Sequence, residues 1–305
     1  MDRIEAIRAF LAVIDEGSLV KAARRLGRSP AALTRTVAFL EEDVGAQLLH
    51  RTTRTAHLSE AGERYAVACR RILADFEEAK LAASGMYTAP KGLLTITAPV
   101  LFGTRILRPV IDGFLAECPD VQVRCLLLDR QVNLSEEAID VALRIAQLPN
   151  SGLVATRVGQ VRRVVAAAPC YLVGGSAIRT PSDLSAHDCI THGELGQRDV
   201  WTFPPRAGTA AHRNIHVGSR LSVNSIESTI RSAVDGRGII RVLSYQIDEE
   251  VRDGRLQIIL GDTEPPPLPV HLLAAESRLG LAKVRAFVDF AASRLREKLQ
   301  SLSAH

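Results

Sequence analysis

The sequence predicts a multidomain chain: a small, mostly α-helical N-terminal domain, a long connecting helix, and a larger α/β C-terminal domain of two lobes. Three observations carry this expectation. Residues 1–59 show helical apolar spacing broken by short turns, and residues 60–84 carry one uninterrupted helical stripe. From Leu93 onward, short β-type segments alternate with helical ones. A length of 305 residues suits more than one ordinary domain.

Residues Asp2 to Asp15 place Ile4, Ile7, Phe10, Leu11 and Ile14 at helical spacing, which predicts a first amphipathic helix. Ser18 is a good cap for a second helix over Leu19 to Leu26, where Ala22 and Ala23 let a neighbouring helix come close. Gly27 suits a left-handed turn. Ser29 then caps a third helix with Pro30 in its first turn, where a missing N–H costs nothing. Leu33, Val37 and Leu40 give that helix an inward stripe. Its other side presents Ala31, Thr34, Arg35 and Ala38, a face small enough to enter a groove, with Arg35 able to reach guanine edges or phosphate. A helix buried on both sides of a bundle would show the same pattern.

The charge pattern and the next segment favour DNA. Lys21, Arg24, Arg25, Arg28 and Arg35 stand between Val20 and Leu40 with no carboxylate among them, although the net charge is only +4. Gln47 to His50 and Ala56 to Leu58 can pair as two short strands around Arg51-Thr52-Thr53-Arg54. A hairpin with arginines near its tip, placed directly after a helix–turn–helix, is the plan of a winged helix. Its arginines suit the minor groove or its phosphates.

These residues carry a resemblance. MDRIEAIRAFLAVIDEGSLVKAARRLG, then SPAALTR, then LHRTTRTAHLSEAGE, is similar to the N-terminal domain of LysR-type transcriptional regulators over residues 1 to about 62. The resemblance implies a winged helix–turn–helix over 1–59, with the helix–turn–helix itself at about 19–38. It implies DNA contacts from Ser18, Arg28, Ser29, Pro30, Ala31, Thr34, Arg35, Arg51, Thr53 and Arg54. Many relatives carry Gln-Pro after the capping serine, where this chain has Pro30-Ala31. One adenine-reading side chain is thereby missing, and base choice falls to Thr34, Arg35 and DNA shape.

Residues 60–90 are expected to form a dimerisation helix and linker. Tyr65, Cys69, Ile72, Phe76, Ala79 and Ala83 recur at heptad spacing, which suits a coiled-coil-like seam between two copies or packing on the helix's own domain.

Residues 91–302 are expected to be the effector-binding domain, with lobe 1 at about 91–161 and 268–300 and lobe 2 at about 162–267. Expected strands lie at Leu93 to Ala98, Val121 to Leu128, Ile139 to Arg144, Val161 to Ala168, Ile215 to Val223, Gly238 to Val242 and Val270 to Ala274. Helices are expected from Gly103 to about Glu117, near Leu134 to Ala138, from Ser225 to Asp235 and from Leu281 to Leu299. The alternation predicts a parallel sheet with crossover helices, and two lobes joined by two crossings resemble bacterial periplasmic binding proteins. Strand ends facing the cleft give the candidate effector site: Ala98, Pro99, Val100, Leu101, Phe102, Leu128, Asp129, Arg144, Asn224 and Ser225. The second lobe is rich in arginine (Arg157, Arg162, Arg163, Arg179, Arg198, Arg206, Arg213, Arg220), which fits either an anionic effector or a solvated basic face.

Other function classes are weakly served. No GxSxG, Walker loop or full dinucleotide fingerprint occurs, so neither an enzyme nor a cofactor is expected. His212 and His216 lie four apart without an evident third ligand, and no metal is expected. The five cysteines (Cys69, Cys118, Cys125, Cys170, Cys189) form no CxxC pair and read as buried thiols, with a redox pair as the alternative. The N-terminus lacks a signal-peptide core, and no apolar run approaches the roughly 18 residues of a membrane span. The expected setting is cytoplasmic, with double-stranded DNA, a small effector and further copies of the chain as partners, and RNA polymerase as a candidate fourth. A solute-binding protein would explain the C-terminal half but not the basic winged helix.

Overall fold

Asp2 begins the first helix by accepting the Ile4 N–H at 3.0 Å, and Gly17 ends it in a left-handed conformation (φ 63°). This helix, α1 (Arg3–Glu16), is followed by α2 (Leu19–Arg25) and α3 (Pro30–Val44). The Ser29 hydroxyl caps α3 by accepting the Ala32 N–H at 3.2 Å. Leu33, Val37 and Leu40 are fully buried against Phe10, Val13, Ala22 and Ala23. The strands β1 (Leu49–Arg51) and β2 (Ala56–Leu58) pair antiparallel, Leu49 opposite Leu58. The helix α4 (Glu60–Ala83) completes this part.

The computed structural model describes residues 2–51, 56–83, 89–130, 132–134, 136–148, 152–174, 176–193, 200–205 and 212–303. They fall into two units, Met1–Leu93 with Gly280–Ala282, and Leu94–Leu279 with Lys283–His305. The helix α4 groups with the first unit. Cys69 is fully buried in the N-terminal core, and Tyr65 packs on Phe10 with ring centroids 5.9 Å apart. The heptad stripe therefore divides, because its first half closes the helix's own domain. Ile72 and Phe76 remain 47% and 41% exposed. The side chains of Ala79 and Ala83 lie outside the described residues.

The second unit begins with β3 (Gly92–Ala98), whose first residues run out of the first unit. Then come α5 (Val100–Phe102), a π-helical turn at Gly103–Leu107, and α6 (Arg108–Glu117). The strands β4 (Val121–Leu127), β5 (Val141–Ile145) and β6 (Leu153–Val161) follow, and β14 (Leu268–Ala275) returns from the far lobe to give the sheet order β4-β3-β5-β14-β6. The sheet is mixed and not parallel throughout: β3 and β5 are parallel, whereas β14 runs antiparallel to both β5 and β6. A returning strand that enters from the second lobe reverses the direction that simple strand–helix alternation implies. Leu134 and residues 136–138 form turns in place of the expected helix, with Ala138 in the left-handed region (φ 54°). The strand then starts at Val141, since Asp140 turns inward to accept the Thr95 N–H at 2.8 Å.

The second lobe is built on β7 (Arg163–Ala167), flanked antiparallel by β12 (Ile240–Leu243) and β13 (Gln257–Ile259). Alternation along β7 separates two cores. Val164 and Ala166 meet Ile230 and Ala233 of α8 (Ile226–Val234), while Val165 and Ala167 meet Trp201, Phe203 and Cys189. Around this frame lie α7 (Pro169–Gly174), β8 (Asp188–His192), β9 (Val200–Phe203), β10 (Arg213–His216), β11 (Gly218–Val223) and α9 (Asp248–Arg252). The expected strand near Ile215 to Val223 is in fact two strands, β10 antiparallel to β9 and β11 parallel to β8. The chain ends with α10 (Glu276–Leu279) and α11 (Ala282–Ser303), whose Phe287 packs edge-on against Phe114 of α6 at 5.1 Å.

Candidate DNA interface and ligand cleft

The third helix owes its position to charge as well as core. Its Glu41 carboxylate accepts the backbone N–H groups of Leu48 and Leu49 at 2.9 and 3.0 Å, tying α3 to the first wing strand. The second wing strand is held by the Ala56 N–H, which donates to the Gly17 carbonyl at 3.1 Å. Helix and wing are thus fixed to one frame.

On the outward face, Ala31, Arg35 and Ala38 are exposed and Thr34 is half-buried. The Thr34 hydroxyl donates to the Pro30 carbonyl at 2.9 Å, which leaves its oxygen lone pairs and methyl group for an outside partner. Ser29 and Pro30 are exposed at the helix start, and Ser18 makes no side-chain cap contact. The basic block is less free than its sequence implies. Arg28 is ion-paired with Glu5, and Arg25 lies 3.2 Å from Glu16. Among the described residues Lys21, Arg24 and Arg35 have no carboxylate partner. Arg51 is the last residue of β1, and its side chain lies outside the described residues, as do Thr53 and Arg54 entirely.

In the second unit a cavity of about 670 Å³ opens between the two lobes. Of the expected effector residues, Pro99, Leu128, Asp129 and Arg144 line it. Ala98, Leu101 and Phe102 are buried core residues that do not, because the strand end they follow turns into α5 with its apolar side inward. Val100 is 39% exposed but outside the lining. Asn224 and Ser225 stand just before the lining residue Ile226; the Ser225 hydroxyl is used as the cap of α8, accepting the Ser228 N–H at 3.3 Å.

Of the opposite wall, sequence reasoning named only Arg163, as one of the second-lobe arginines. Arg163, Trp201, Arg241, Tyr245 and Gln246 also line the cavity. Arg241 opposes Val165 in the ladder, so it shares a face with Arg163 as its diagonal neighbour. Burial lowers the Arg241 pKa to about 10, and the nearby Arg163 charge adds to the effect. Arg241 donates to the Thr202 carbonyl at 2.6 Å and lies 4.8 Å over the Phe203 ring. Across the cleft, burial also lowers the Arg144 pKa. Its Nη1 donates to the Leu143 carbonyl at 2.9 Å, while Nη2 is shielded from water with no hydrogen-bond partner.

No group of three or more metal-ligating side chains occurs among the described residues. All five cysteines are free; Cys69 and Cys189 are buried, but Cys125 and Cys170 are exposed, against the expectation of buried thiols. No described helix is long and apolar enough to cross a membrane.

A capped, small-faced helix fixed to a strand pair, in a chain that also carries a two-lobed α/β module with an interlobe cavity, defines a DNA-binding regulator with its own ligand domain. Comparison with known proteins gives the family. Residues 4–63 match the bacterial regulatory helix-turn-helix protein, lysR family, and residues 88–296 match the LysR substrate binding domain. The chain is 32% identical over 281 residues to the HTH-type transcriptional regulator PtxR of Pseudomonas aeruginosa, covering 92% of this chain and 89% of that one. It is 31% identical over 290 residues to an HTH-type transcriptional regulator of Xanthomonas campestris pv. campestris, covering 94% and 83%. The structure of CrgA, a LysR-type transcriptional regulator from Neisseria meningitidis, matches with a TM-score of 0.61 at 26% identity over 95% of this chain and 98% of that one. The chain belongs to the LysR family of transcriptional regulators, a DNA-binding and not an enzymatic family.

Proposed function

We propose that this LysR-family chain reads promoter DNA as a dimer or dimer of dimers and that a small effector in the interlobe cavity sets its activity. The observation that carries the ligand half is the cavity itself, lined from both lobes by Asp129 and Arg144 on one side and Arg163 and Arg241 on the other. A ligand that touches both walls binds one degree of lobe closure better than another, which is the condition for shifting a conformational equilibrium. Such coupling between sites is typically about 1–3 kcal/mol. The DNA half rests on α3, whose outward Ala31, Thr34 and Arg35 suit the major groove, with the wing on the flanking minor groove or backbone. Exposed Ile72 and Phe76 on α4 supply a seam for the second copy. The setting is cytoplasmic, and RNA polymerase is a candidate partner on the promoter.

Footprinting of the DNA upstream of the chain's own gene, with and without metabolites, tests this reading. The expected result is two protected half-sites separated by whole helical turns, with a pattern that changes when effector is added. Protection without two-fold symmetry would overturn the dimeric reading. Effector contacts outside the cavity in a ligand-bound structure would overturn the site.

A further inference from the structure

Resting on the reading of the interlobe cavity as the effector site, we infer that the effector is a small organic dianion whose two charged ends bridge Arg144 of one lobe and the Arg163–Arg241 pair of the other.

The argument is a charge balance over the lining. Among the described residues four arginines line the cavity, and Asp129 is the one acidic residue of the lining. Asp129, whose Oδ1 accepts the Val100 N–H at 3.0 Å, keeps its charge and offsets one of the arginines, which leaves an excess of two positive charges once Arg130 is paired. Arg130 is held by both oxygens of Glu137 at 2.8 and 2.7 Å. Arg144, Arg163 and Arg241 remain, and among the described residues none of them has a carboxylate partner. Two of these sit side by side in like-charge proximity on β7 and β12, an arrangement that costs energy unless an anion lies between them. The third offers a buried, unpartnered Nη2 from the opposite lobe. A single negative charge would leave one of the two cationic centres uncompensated in a partly dry cleft, whereas two charges separated by a short linker answer both.

The remaining lining sets the body of the ligand. Trp201, Ile190, Ile226 and Val242 contribute apolar groups to the lining. Thr191, His192 and Gln246 add polar groups for orientation. A volume of about 670 Å³ suits a compact molecule and not a polymer. Carboxylate and phosphate ends share the required chemistry, since both accept paired bonds from a guanidinium.

Trp201 is the chain's only tryptophan and lines the cavity, so its fluorescence reports occupancy directly. Full-length protein is titrated with succinate, glutarate and adipate, with their monoamides and diamides, and with inorganic phosphate and glycerol phosphate. Binding is followed by calorimetry and by Trp201 emission together. The expected result is a dianion that changes the emission and binds at least tenfold more tightly than its monoamide, with its diamide silent. Arg144→Gln and Arg241→Gln should each weaken it at least tenfold. Arg144→Lys, which keeps the charge without the fork, should recover part of the loss. Tight binding by inorganic phosphate or glycerol phosphate, each with one charged group, in place of the diacids would overturn the two-ended bridge. Monoamide affinity equal to the diacid, or no binding by any dianion at millimolar concentration, would overturn the dianion. Heat of binding without any change in Trp201 emission would overturn the cavity as the site.

Discussion

A β-carbon added to Gly62 would stand 2.0 Å from the carbonyl oxygen of Leu48. That oxygen has no freedom to retreat, because it accepts the Ser59 N–H at 3.0 Å. Ser59 completes the lock: its hydroxyl accepts the Gly62 N–H at 2.9 Å and donates to the Gln47 carbonyl at 2.6 Å. The first turn of α4 is therefore nested on the segment that leads into the wing. Gly62→Ala should destabilise the N-terminal unit by about 1–3 kcal/mol, the usual cost of overpacking. Hydrogen exchange should speed up over residues 47–62 while the β7 ladder of the second unit keeps its protection. Unaltered exchange at Leu48 and Ser59 would show that the contact relaxes without cost.

Arg35 and Arg28 separate base reading from scaffolding. Arg35 is exposed on the outward face of α3, while Arg28 is ion-paired with Glu5 of α1. Arg35→Ala should weaken specific binding by about 1–3 kcal/mol and relax preference at one base position. Arg28→Ala should cost less, and its loss should be uniform across sequences. Anisotropy titrations with single-base operator variants distinguish the two. A uniform loss for Arg35→Ala would make it a phosphate contact.

The N-terminal domain was legible because its signals are local. Ser29, Pro30 and the Leu33–Val37–Leu40 stripe lie within one helix, and Gly27 sits where the turn needs a positive φ (64°). Pairing across the sheet is not local. Arg163 and Arg241 become neighbours only when β12 lies antiparallel to β7, and no spacing in the sequence announces that register. The heptad stripe on α4 was visible, but hydrophobic periodicity names a buried face without naming its partner. Burial of Cys69 in the N-terminal core and exposure of Phe76 divide the stripe between two roles. The acidic residue that ties wing to helix, Glu41, was missed for the same reason, since its two backbone partners depend on where β1 docks.

Phe76 tests the exposed half of that stripe. It is 41% exposed at the same helical face as Ile72, and leaving two large apolar side chains open on a long helix favours a partner. Phe76→Asp should shift the solution mass from dimer toward monomer in analytical ultracentrifugation. Because Phe76 is absent from the N-terminal core, the thermal stability of the monomeric unit should change little. An unchanged dimer mass would place the self-association surface elsewhere.

His271 gives the second unit an acid sensitivity. In the β14 ladders it is paired with Arg144 on β5 and with Arg157 on β6, and its Nδ1 is buried without a hydrogen-bond partner. Burial, followed by the Arg157 charge, lowers its pKa below the ordinary 6.5. The folded state therefore resists a proton that the unfolded chain accepts. Well above pH 6.5 the imidazole is neutral in both states and stability is unaffected by this group. As pH falls below 6.5, the unfolded state takes up the proton first and stability declines until the folded pKa is passed. His271→Gln, which cannot be protonated, should flatten the denaturation midpoint over the first pH unit below 6.5 relative to the parent chain. Carboxylates shared by both proteins cancel in the difference. Parallel pH profiles for the two chains would show that the protonated imidazole finds a partner in the folded sheet.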